Sequence, residues 1–299
     1  MEHTCAPEHD IVSYGVALPD KTRQNLSVAK VSLVAFGLLA LTSWLYVFLS
    51  DDSGFRDFFQ ADTWQNAWSF VKEMLGVGSD STPAFLSAES WRNAASLSIE
   101  TLAMSVLAIA MAGVAALLTF LPAARNVAFG ELSGSRSRVG QAMYFVVRAV
   151  FAFTRGVPEL LWALLIVFVL SPGILPGAIA LAVHNYGILG KLSAEVVENL
   201  DPRPARALRR SGAGNLQMLM YGVMPQALPQ FLTYLLYRWE VVIRTTIVVG
   251  FVAAGGLGRE FRLSMSFFQY DEVTLLLACY LILVLGVDLV SAWLRRLAR

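Results

Sequence analysis

The chain has 299 residues, of which 56% are hydrophobic and only 15% charged, with a formal net charge of +1. A soluble domain carries about a quarter charged residues, so this composition argues against a soluble protein, and the small net charge gives no reason to expect a nucleic-acid partner. The two cysteines, Cys5 and Cys279, lie far apart in different contexts, which argues against a disulfide framework.

Long apolar runs predict membrane-spanning helices, because several reach the ~20 residues that a helix needs to cross a bilayer. Helices are the expected form, since lipid offers no partner for backbone N–H and C=O groups. The fold class is therefore all-α integral membrane with six transmembrane helices. The predicted spans are 29–49, 95–121, 142–170, 174–192, 226–250 and 273–294.

The first apolar run is predicted to remain as the first helix, because the polar N-terminus before it lacks the features of a secretory signal peptide. The chain is divided into a cytoplasmic N-terminal segment (1–28), a first transmembrane helix (29–50), an external loop (51–90) and a core domain (91–299).

Basic residues predict the orientation, because Lys and Arg accumulate in cytoplasmic loops. With six spans, all of the basic segments fall on one side, whereas the first loop is acidic. Both termini are therefore predicted to be cytoplasmic. The basic residues are Lys21, Arg23, Lys30, Arg125, Arg136, Arg138, Arg203, Arg206, Arg209, Arg210, Arg295, Arg296 and Arg299.

Aromatic residues in the external loop follow a helical spacing, with Phe55, Phe58 and Phe59 followed by Trp64 and Trp68. This pattern predicts one or two helices. They lie either in the membrane interface, with the rings at headgroup depth, or against the outer ends of the helical bundle.

A polar segment at 201–215 separates the fourth and fifth spans. Pro202 and Pro204 favour a helix start, and Gly212 and Gly214 favour its end. A short basic helix on the cytoplasmic side is either a docking element for a soluble partner or a loop that only fixes topology.

This segment resembles the coupling loop of binding-protein-dependent ABC importer permeases. The family pattern reads Glu-Ala-Ala, three residues, Gly, then Leu-Pro, and Ala207, Gly212 and Pro225 stand at matching positions. Arg206 replaces the glutamate, so the family's usual polar contact with the ATPase is not expected here, whereas docking itself still is. Leu208 and Met224 replace the second alanine and the leucine.

Further segments resemble the phosphonate-type branch of that family. They are 154–165, 187–192, 221–230 and 237–240, together with Arg244. The resemblance covers roughly residues 91–297. It implies the permease fold of type I ABC importers (MetI-like), with residues 201–215 as the coupling loop of the core domain.

The resemblance also implies a function. The chain would be the transmembrane subunit of an ATP-driven importer for phosphonate, phosphite, phosphate or a phosphate ester, in the bacterial cytoplasmic (inner) membrane. The implied partners are two ATP-binding cassette subunits, an external substrate-binding protein, and a second permease subunit that is either the same or a related chain. ATP and Mg would bind to the partner ATPase.

This chain itself is predicted to be non-catalytic and to hold no cofactor. Gly190 and Lys191 are followed by Leu192, so the sequence has no phosphate-binding loop. No nucleophile and base stand out. The alternatives are a permease for another solute, such as methionine, an amino acid or a metal, and a membrane-embedded enzyme or non-transport scaffold.

The residues predicted to couple to the ATPase belong to the 201–215 segment. They are Asp201, Ala205, Arg206, Ala207, Leu208, Arg209, Gly212, Ala213 and Gly214.

Ionisable residues at membrane depth are expensive and usually face a bundle interior or a water-filled path. Arg155 and Glu159 are four residues apart, as are Glu240 and Arg244, so each pair can neutralise itself on its own helix. Arg238 has no partner within its turn. These side chains either lock helices together or line a path for a tetrahedral oxyanion, whose oxygens match the planar donors of arginine. The predicted path residues are Arg155, Glu159, Tyr237, Arg238, Glu240 and Arg244.

Three glycines follow the fifth span, at Gly255, Gly256 and Gly258. They allow a tight, close-packed re-entrant turn on the external side, with a flexible loop as the alternative. The glycines match the Gly-Gly-x-Gly turn of the importer family, and this resemblance implies a part in the external gate. No metal site is predicted. The residues of metal-ligand type near the N-terminus (His3, Cys5, His9, Asp10) lack a regular spacing, and His184 is expected to be packed or hydrogen-bonded.

Overall fold

The protein is described by a computed structural model that covers residues 21–50, 54–55, 57–77, 82–132 and 137–297. Every regular element in these ranges is helical, so the all-α prediction is confirmed for them. The chain forms two compact units, Met1–Trp68 and Ser69–Arg299. The N-terminal residues of metal-ligand type lie outside the described ranges.

The first unit contains one long apolar helix, α1 (Lys21–Leu49). Its segment Val28–Leu49 has a mean hydropathy of 2.0 and no buried residues, as expected of a helix whose solvent is lipid. A single turn at Asp57–Phe59 then leads into α2 (Ala61–Met74), the helix that the aromatic spacing predicted. The Trp64 indole N–H donates to the carbonyl of Phe58 at 3.0 Å.

The second unit is a bundle of helices joined by short turns. After a turn at Ala84–Leu86, its helices are α3 (Ala88–Thr119), α4 (Arg125–Ala128), α5 (Arg138–Gly156), α6 (Glu159–Leu170), α7 (Ile174–Glu198), α8 (Arg203–Arg210), α9 (Asn215–Gln217), α10 (Met224–Val249), α11 (Gly256–Ser266) and α12 (Tyr270–Leu297). One π-helical turn, Met218–Val223, precedes α10, and another, Gly250–Ala254, follows it.

The last residues of α2 belong to this second unit and pack against the start of α12. The rings of Phe70 and Tyr270 meet edge to face at 4.8 Å. The Thr274 hydroxyl donates to the carbonyl of Met74 at 2.7 Å. The end of α2 therefore rests on the bundle, whereas Trp64 and Trp68 remain exposed.

Three helices in the described ranges are long and apolar enough to cross a membrane, and they agree with three predicted spans: α1, α3 and α12. Two bent pairs raise the number to five if each pair counts as one span: α5 with α6, and residues 215–252 with α11. The remaining predicted span, 174–192, lies in α7. That helix has 25 residues, about 37 Å in length.

The third predicted span, 142–170, is not one helix, and this prediction is corrected. α5 ends at Gly156, α6 begins at Glu159, and their axes are bent by 92°. Pro158 is the physical reason. It lacks a backbone N–H and disfavours helical geometry in the preceding residue, and Val157 is extended here, with φ −86° and ψ 124°.

α7 forms the centre of the second unit, where more than half of its residues are buried. Small residues allow neighbouring backbones to approach closely, as is usual between membrane helices. A Cβ on Gly177 would lie 2.7 Å from that of Ala254, and one on Gly187 would lie 2.7 Å from the carbonyl oxygen of Phe151. α7 therefore contacts several helices of the bundle at short range.

Candidate functional site

The predicted coupling segment contains the helix α8, and both of its ends are defined by local hydrogen bonds. At its start, Asp201 accepts from the backbone N–H of Arg203 at 3.0 Å and from its guanidinium. These bonds hold the pKa of the Asp201 carboxyl below its ordinary value, the backbone N–H being the main cause. Asp201 therefore stays ionised at neutral pH.

At its end, α8 closes in a Schellman motif, in which the first residue past the cap is left-handed. Gly212 has φ +87°, and its N–H donates to the Arg209 carbonyl at 3.0 Å. The N–H of Ala213 donates to the Leu208 carbonyl at 3.1 Å. Gly214 then opens α9, where its N–H donates to the Gln217 side chain at 3.0 Å. The glycines therefore stop the helix as the sequence predicted.

α8 has one face packed and one face exposed. Ala205 is 1% exposed and packs against the π turn Met218–Val223. Arg209 donates from its guanidinium to the carbonyl of Leu132 at 3.1 Å. Arg206 and Ala207, both predicted coupling residues, lie on the exposed face. The helix thus presents a basic surface while its small residues hold it against the start of α10.

The predicted glycine turn follows the far end of α10 from α8. A helix of 26 residues is about 39 Å long, so the turn lies about that far from the start of α10. Gly255 (φ +101°) and Gly256 (φ +65°) adopt backbone conformations that favour glycine. The Leu257 N–H donates to the Thr101 hydroxyl at 2.9 Å, and a Cβ on Gly258 would overlap the carbonyl of Ile247. The segment is thus a close-packed turn that leads into α11, and the flexible-loop alternative is wrong.

Arg238 of α10 reaches across to α7. Its Nε and Nη2 atoms donate to the Asn185 side-chain oxygen at 2.9 and 2.6 Å. Asn185 is fully buried and anchors itself by donating to the Leu181 carbonyl at 2.7 Å. Tyr237, the residue before it on α10, is exposed. Arg238 is thus held by a neutral partner that the sequence did not single out.

The predicted pair Arg155–Glu159 does not form on one helix, because the break at Pro158 separates the two residues. Arg155 is exposed at the end of α5. Glu159, at the start of α6, lies 3.9 Å from His184 Nε2 of α7. His184 Nδ1 is 3.0 Å from the Val157 carbonyl, in agreement with the expectation that this histidine is hydrogen-bonded.

The predicted pair Glu240–Arg244 is also wrong, because both residues bond to α12 instead. Arg244 contacts Asp288 at 2.7 Å, and Glu240 accepts a hydrogen bond from Arg295. Arg295 also donates to the Ser291 hydroxyl at 2.7 Å. The charged groups on this side of α10 therefore lock α10 to α12, which was the alternative to a role in the path.

A second set of polar contacts joins α4 and α5 to the end of α7. Glu198, at the end of α7, accepts from the Arg148 guanidinium and from the backbone N–H of Arg125. Asn126 donates to the Val197 carbonyl at 2.7 Å. Sequence reasoning missed these residues as structural contacts, because their partners are far apart in the chain. Within the part of the chain that the structure covers, no His, Cys, Asp and Glu side chains form a group suited to a metal ion.

Comparison with known proteins identifies close relatives. The phosphite transport system permease protein PtxC of Stutzerimonas stutzeri is 34% identical over 290 residues, which cover 94% of this chain and 96% of the relative. The phosphate-import permease protein PhnE of Mycolicibacterium smegmatis is 33% identical over 240 residues, 78% of this chain and 43% of the relative. A putative cryptic phosphonate transport system permease protein, PhnE2 of Escherichia coli K12, is 37% identical over 118 residues, 40% of this chain and 97% of the relative.

Solved structures share the fold at low sequence identity. An inward-facing MetNI methionine ABC transporter matches with a TM-score of 0.54 and 20% identity, over 68% of this chain and 94% of that one. An amino acid ABC transporter solved with histidines matches with a TM-score of 0.53 and 20% identity, over 66% and 90%. The predicted fold of an ABC importer permease is confirmed. Residues 126–299 match the model of a transport family, and the chain belongs to that family, the inner membrane components of binding-protein-dependent transport systems.

Proposed function

We propose that this chain is the transmembrane subunit of an ATP-driven importer for phosphonate or a related phosphorus oxyanion: phosphite, phosphate or a phosphate ester. The observation that carries the proposal is the similarity to a phosphite permease over almost the whole of both chains. Relatives named for phosphate and phosphonate transport point to the same chemical class. The amino-acid and methionine transporters are 20% identical and support the fold alone.

The ATPase docks, in this proposal, on the exposed face of α8. The predicted coupling residues Arg206 and Ala207 lie on that face, whereas Ala205 and Leu208 turn inward and connect the helix to the π turn before α10. A displacement of α8 would therefore reach α10. Arg206 stands where the family has an acidic residue, so we expect an acidic or neutral patch on the ATPase opposite it.

The assembly contains two ATP-binding cassette subunits, a second permease subunit (the same or a related chain) and an external binding protein. ATP and Mg bind to the ATPase chains, and this chain performs no catalysis. When ATP closes the ATPases, the two coupling helices approach and the cavity opens outward. The binding protein then releases the anion, and hydrolysis resets the cavity inward.

Loop charge supports a cytoplasmic location for α8 and for both termini. Arg203, Arg206 and Arg210 of α8 are exposed, and Arg295 and Arg296 end α12. The glycine turn lies at the opposite end of α10, about 39 Å from the π turn Met218–Val223 that precedes this helix. A hydrocarbon core is about 30 Å thick, so this distance supports the external position proposed for the turn.

The test is ATP hydrolysis by the permease reconstituted in lipid with its ATPase, measured against loaded binding protein. The protein is loaded in turn with methylphosphonate, 2-aminoethylphosphonate, phosphite and phosphate. We expect one or two of these forms to stimulate hydrolysis and the unloaded form to give little stimulation.

Methionine, a set of amino acids and divalent metal ions form the comparison arm of the same titration. Stimulation by these ligands alone would assign the chain to another branch of importers and contradict the proposed substrate class. A complex that assembles but responds to no ligand would favour a scaffold and contradict the proposal.

A further inference from the structure

Arg238 differs from the other arginines that contact the interior of the bundle. Arg244 and Arg295 each bond directly to a carboxylate, Asp288 and Glu240, so their charge is cancelled locally. The described hydrogen bonds of Arg238 instead go to a neutral amide, the Asn185 side chain. Its guanidinium is therefore oriented without being neutralised by its hydrogen-bond partner.

Asn185 is well suited to orient a side chain. It is 0% exposed, and its own amide nitrogen bonds to the Leu181 carbonyl one turn earlier on α7. Its oxygen receives two N–H groups from Arg238, at 2.9 and 2.6 Å. A guanidinium has five N–H donors, so three others remain to bind a planar or tetrahedral oxyanion.

Glu159 is the nearby counter-charge, and it is held much less firmly. It interacts electrostatically with Arg238 across the bundle. Its carboxylate lies 3.9 Å from His184 Nε2, too far for a hydrogen bond. Among the described residues, no hydrogen bond fixes that carboxylate in place. No described hydrogen bond of the Glu159 carboxylate would therefore have to break if an anion bound to Arg238.

We infer that Asn185 is a positioning residue that holds Arg238 as a transient binding station for the transported oxyanion. The inference rests on the proposed function and deepens it. A neutral acceptor orients the guanidinium and leaves its charge available, whereas a carboxylate at position 185 would orient it equally well and cancel the charge.

The variants Asn185→Asp and Asn185→Leu separate this role from a purely structural one. If the contact only ties α7 to α10, Asp preserves it and is the milder change. If Arg238 must remain available to an anion, Asp is the more harmful change. Asn199→Asp is the matched control, because Asn199 makes the same bond to the carbonyl four residues earlier (2.9 Å to Glu195) at the exposed end of α7.

Two measurements are made on the intact complex with its ATPase. The first is direct binding of radiolabelled phosphite and phosphate to the complex in lipid nanodiscs, without binding protein. The second is uptake into proteoliposomes supplied with loaded binding protein. Assembly and basal ATP hydrolysis of each variant show whether it folds.

We expect Asn185→Asp to weaken anion binding and uptake about tenfold or more. The new carboxylate would cancel the charge of Arg238, so the anion would lose its charge-assisted contact with that guanidinium. Asn185→Leu should lose less, and Asn199→Asp should match the wild type. Glu159→Gln should bind the anion several-fold more tightly and turn over more slowly, because nothing then competes for Arg238. This split between affinity and turnover is not expected of a residue that only supports the fold.

Wild-type-like binding by Asn185→Asp, a greater loss in Asn185→Leu, or no anion binding by the wild-type complex would overturn the inference. If the wild-type complex takes up phosphite and Asn185→Asp takes it up equally well, the proposed function would be supported and the binding role of Arg238 would be contradicted. If the variants bind the anion in the expected order but loaded binding protein stimulates no uptake, the binding role of Arg238 would be supported and the proposed importer function would be contradicted.

Discussion

Gly222 of the π turn Met218–Val223 lies directly against Ala205 of α8. A Cβ placed on Gly222 would be 3.0 Å from the Ala205 Cα atom and 3.1 Å from a terminal carbon of Leu208. The two segments therefore meet at backbone distance, with no side chain between them. Because the π turn continues into α10, a force on α8 reaches a 26-residue helix through this contact.

If α8 couples to the ATPase as proposed, enlarging Gly222 should disconnect it from α10. In Gly222→Leu the new side chain must displace α8, and overpacking of this kind typically costs about 1–3 kcal/mol. We expect the complex to assemble and hydrolyse ATP at its basal rate, while stimulation by loaded binding protein falls about tenfold. Gly286→Leu on α12 is the control, because a Cβ there meets nothing within 4 Å. Equal effects of the two substitutions would contradict the prediction.

The start of α8 provides a second prediction, at Asp201. This carboxylate accepts the Arg203 N–H, and an asparagine oxygen can accept the same bond, so Asp201→Asn should couple almost normally and Asp201→Ala should couple less well. The measurement is stimulated ATP hydrolysis at neutral pH. Since the pKa of Asp201 is lowered in the folded state, its contribution is complete above the ordinary pKa and is lost only as the pH falls through the lowered value. A change in coupling between pH 6 and 8 that disappears in Asp201→Asn would contradict this assignment.

The coupling segment could be predicted from sequence because its structure is determined locally. Pro202 and Pro204 favour a helix start, Gly212 supplies the left-handed residue that ends it, and the hydrogen bonds of both ends join residues within five positions. The apolar runs likewise predicted α1, α3 and α12. Local rules sufficed wherever the partner of a residue was close in the chain.

The charge pairs within the bundle could not be predicted in this way. The four-residue spacing of Glu240 and Arg244 is compatible with a pair on one helix, but each residue bonds to α12, more than forty positions away. Similarly, no sequence pattern singled out Asn185, and only the packing of α7 on α10 brings it to Arg238. The packing of the helices determines which oppositely charged or polar side chain each of these residues bonds to, and the sequence alone does not show that packing.

The packing of α7 on α5 gives a prediction about stability. A Cβ on Gly190 would overlap the ring of Phe151, which is 1% exposed. We expect Gly190→Ala to lower the free energy of unfolding by about 1–3 kcal/mol, measured by denaturant unfolding in detergent micelles. Gly286→Ala has open space and should be neutral or slightly stabilising, since alanine favours a helix.

The double variant Gly190→Ala with Phe151→Leu tests the cause of that loss. If the alanine methyl destabilises by striking the ring, shortening Phe151 should recover part of the stability, and the two changes should not be additive. Additive losses would show that the destabilisation arises elsewhere.

The two ion pairs between α10 and α12 should differ in strength, because they differ in burial. The side chains of Glu240 and Arg295 are 14% and 24% exposed, whereas those of Asp288 and Arg244 are 33% and 51% exposed. Glu240→Gln leaves Arg295 with a weaker acceptor in a drier place, so we expect a loss of about 1–3 kcal/mol of unfolding free energy. Asp288→Asn should cost less, because the Arg244 side chain is half exposed and can turn to another partner. Thermal unfolding of both variants in the same detergent gives the order. A larger effect at Asp288 than at Glu240 would contradict this order.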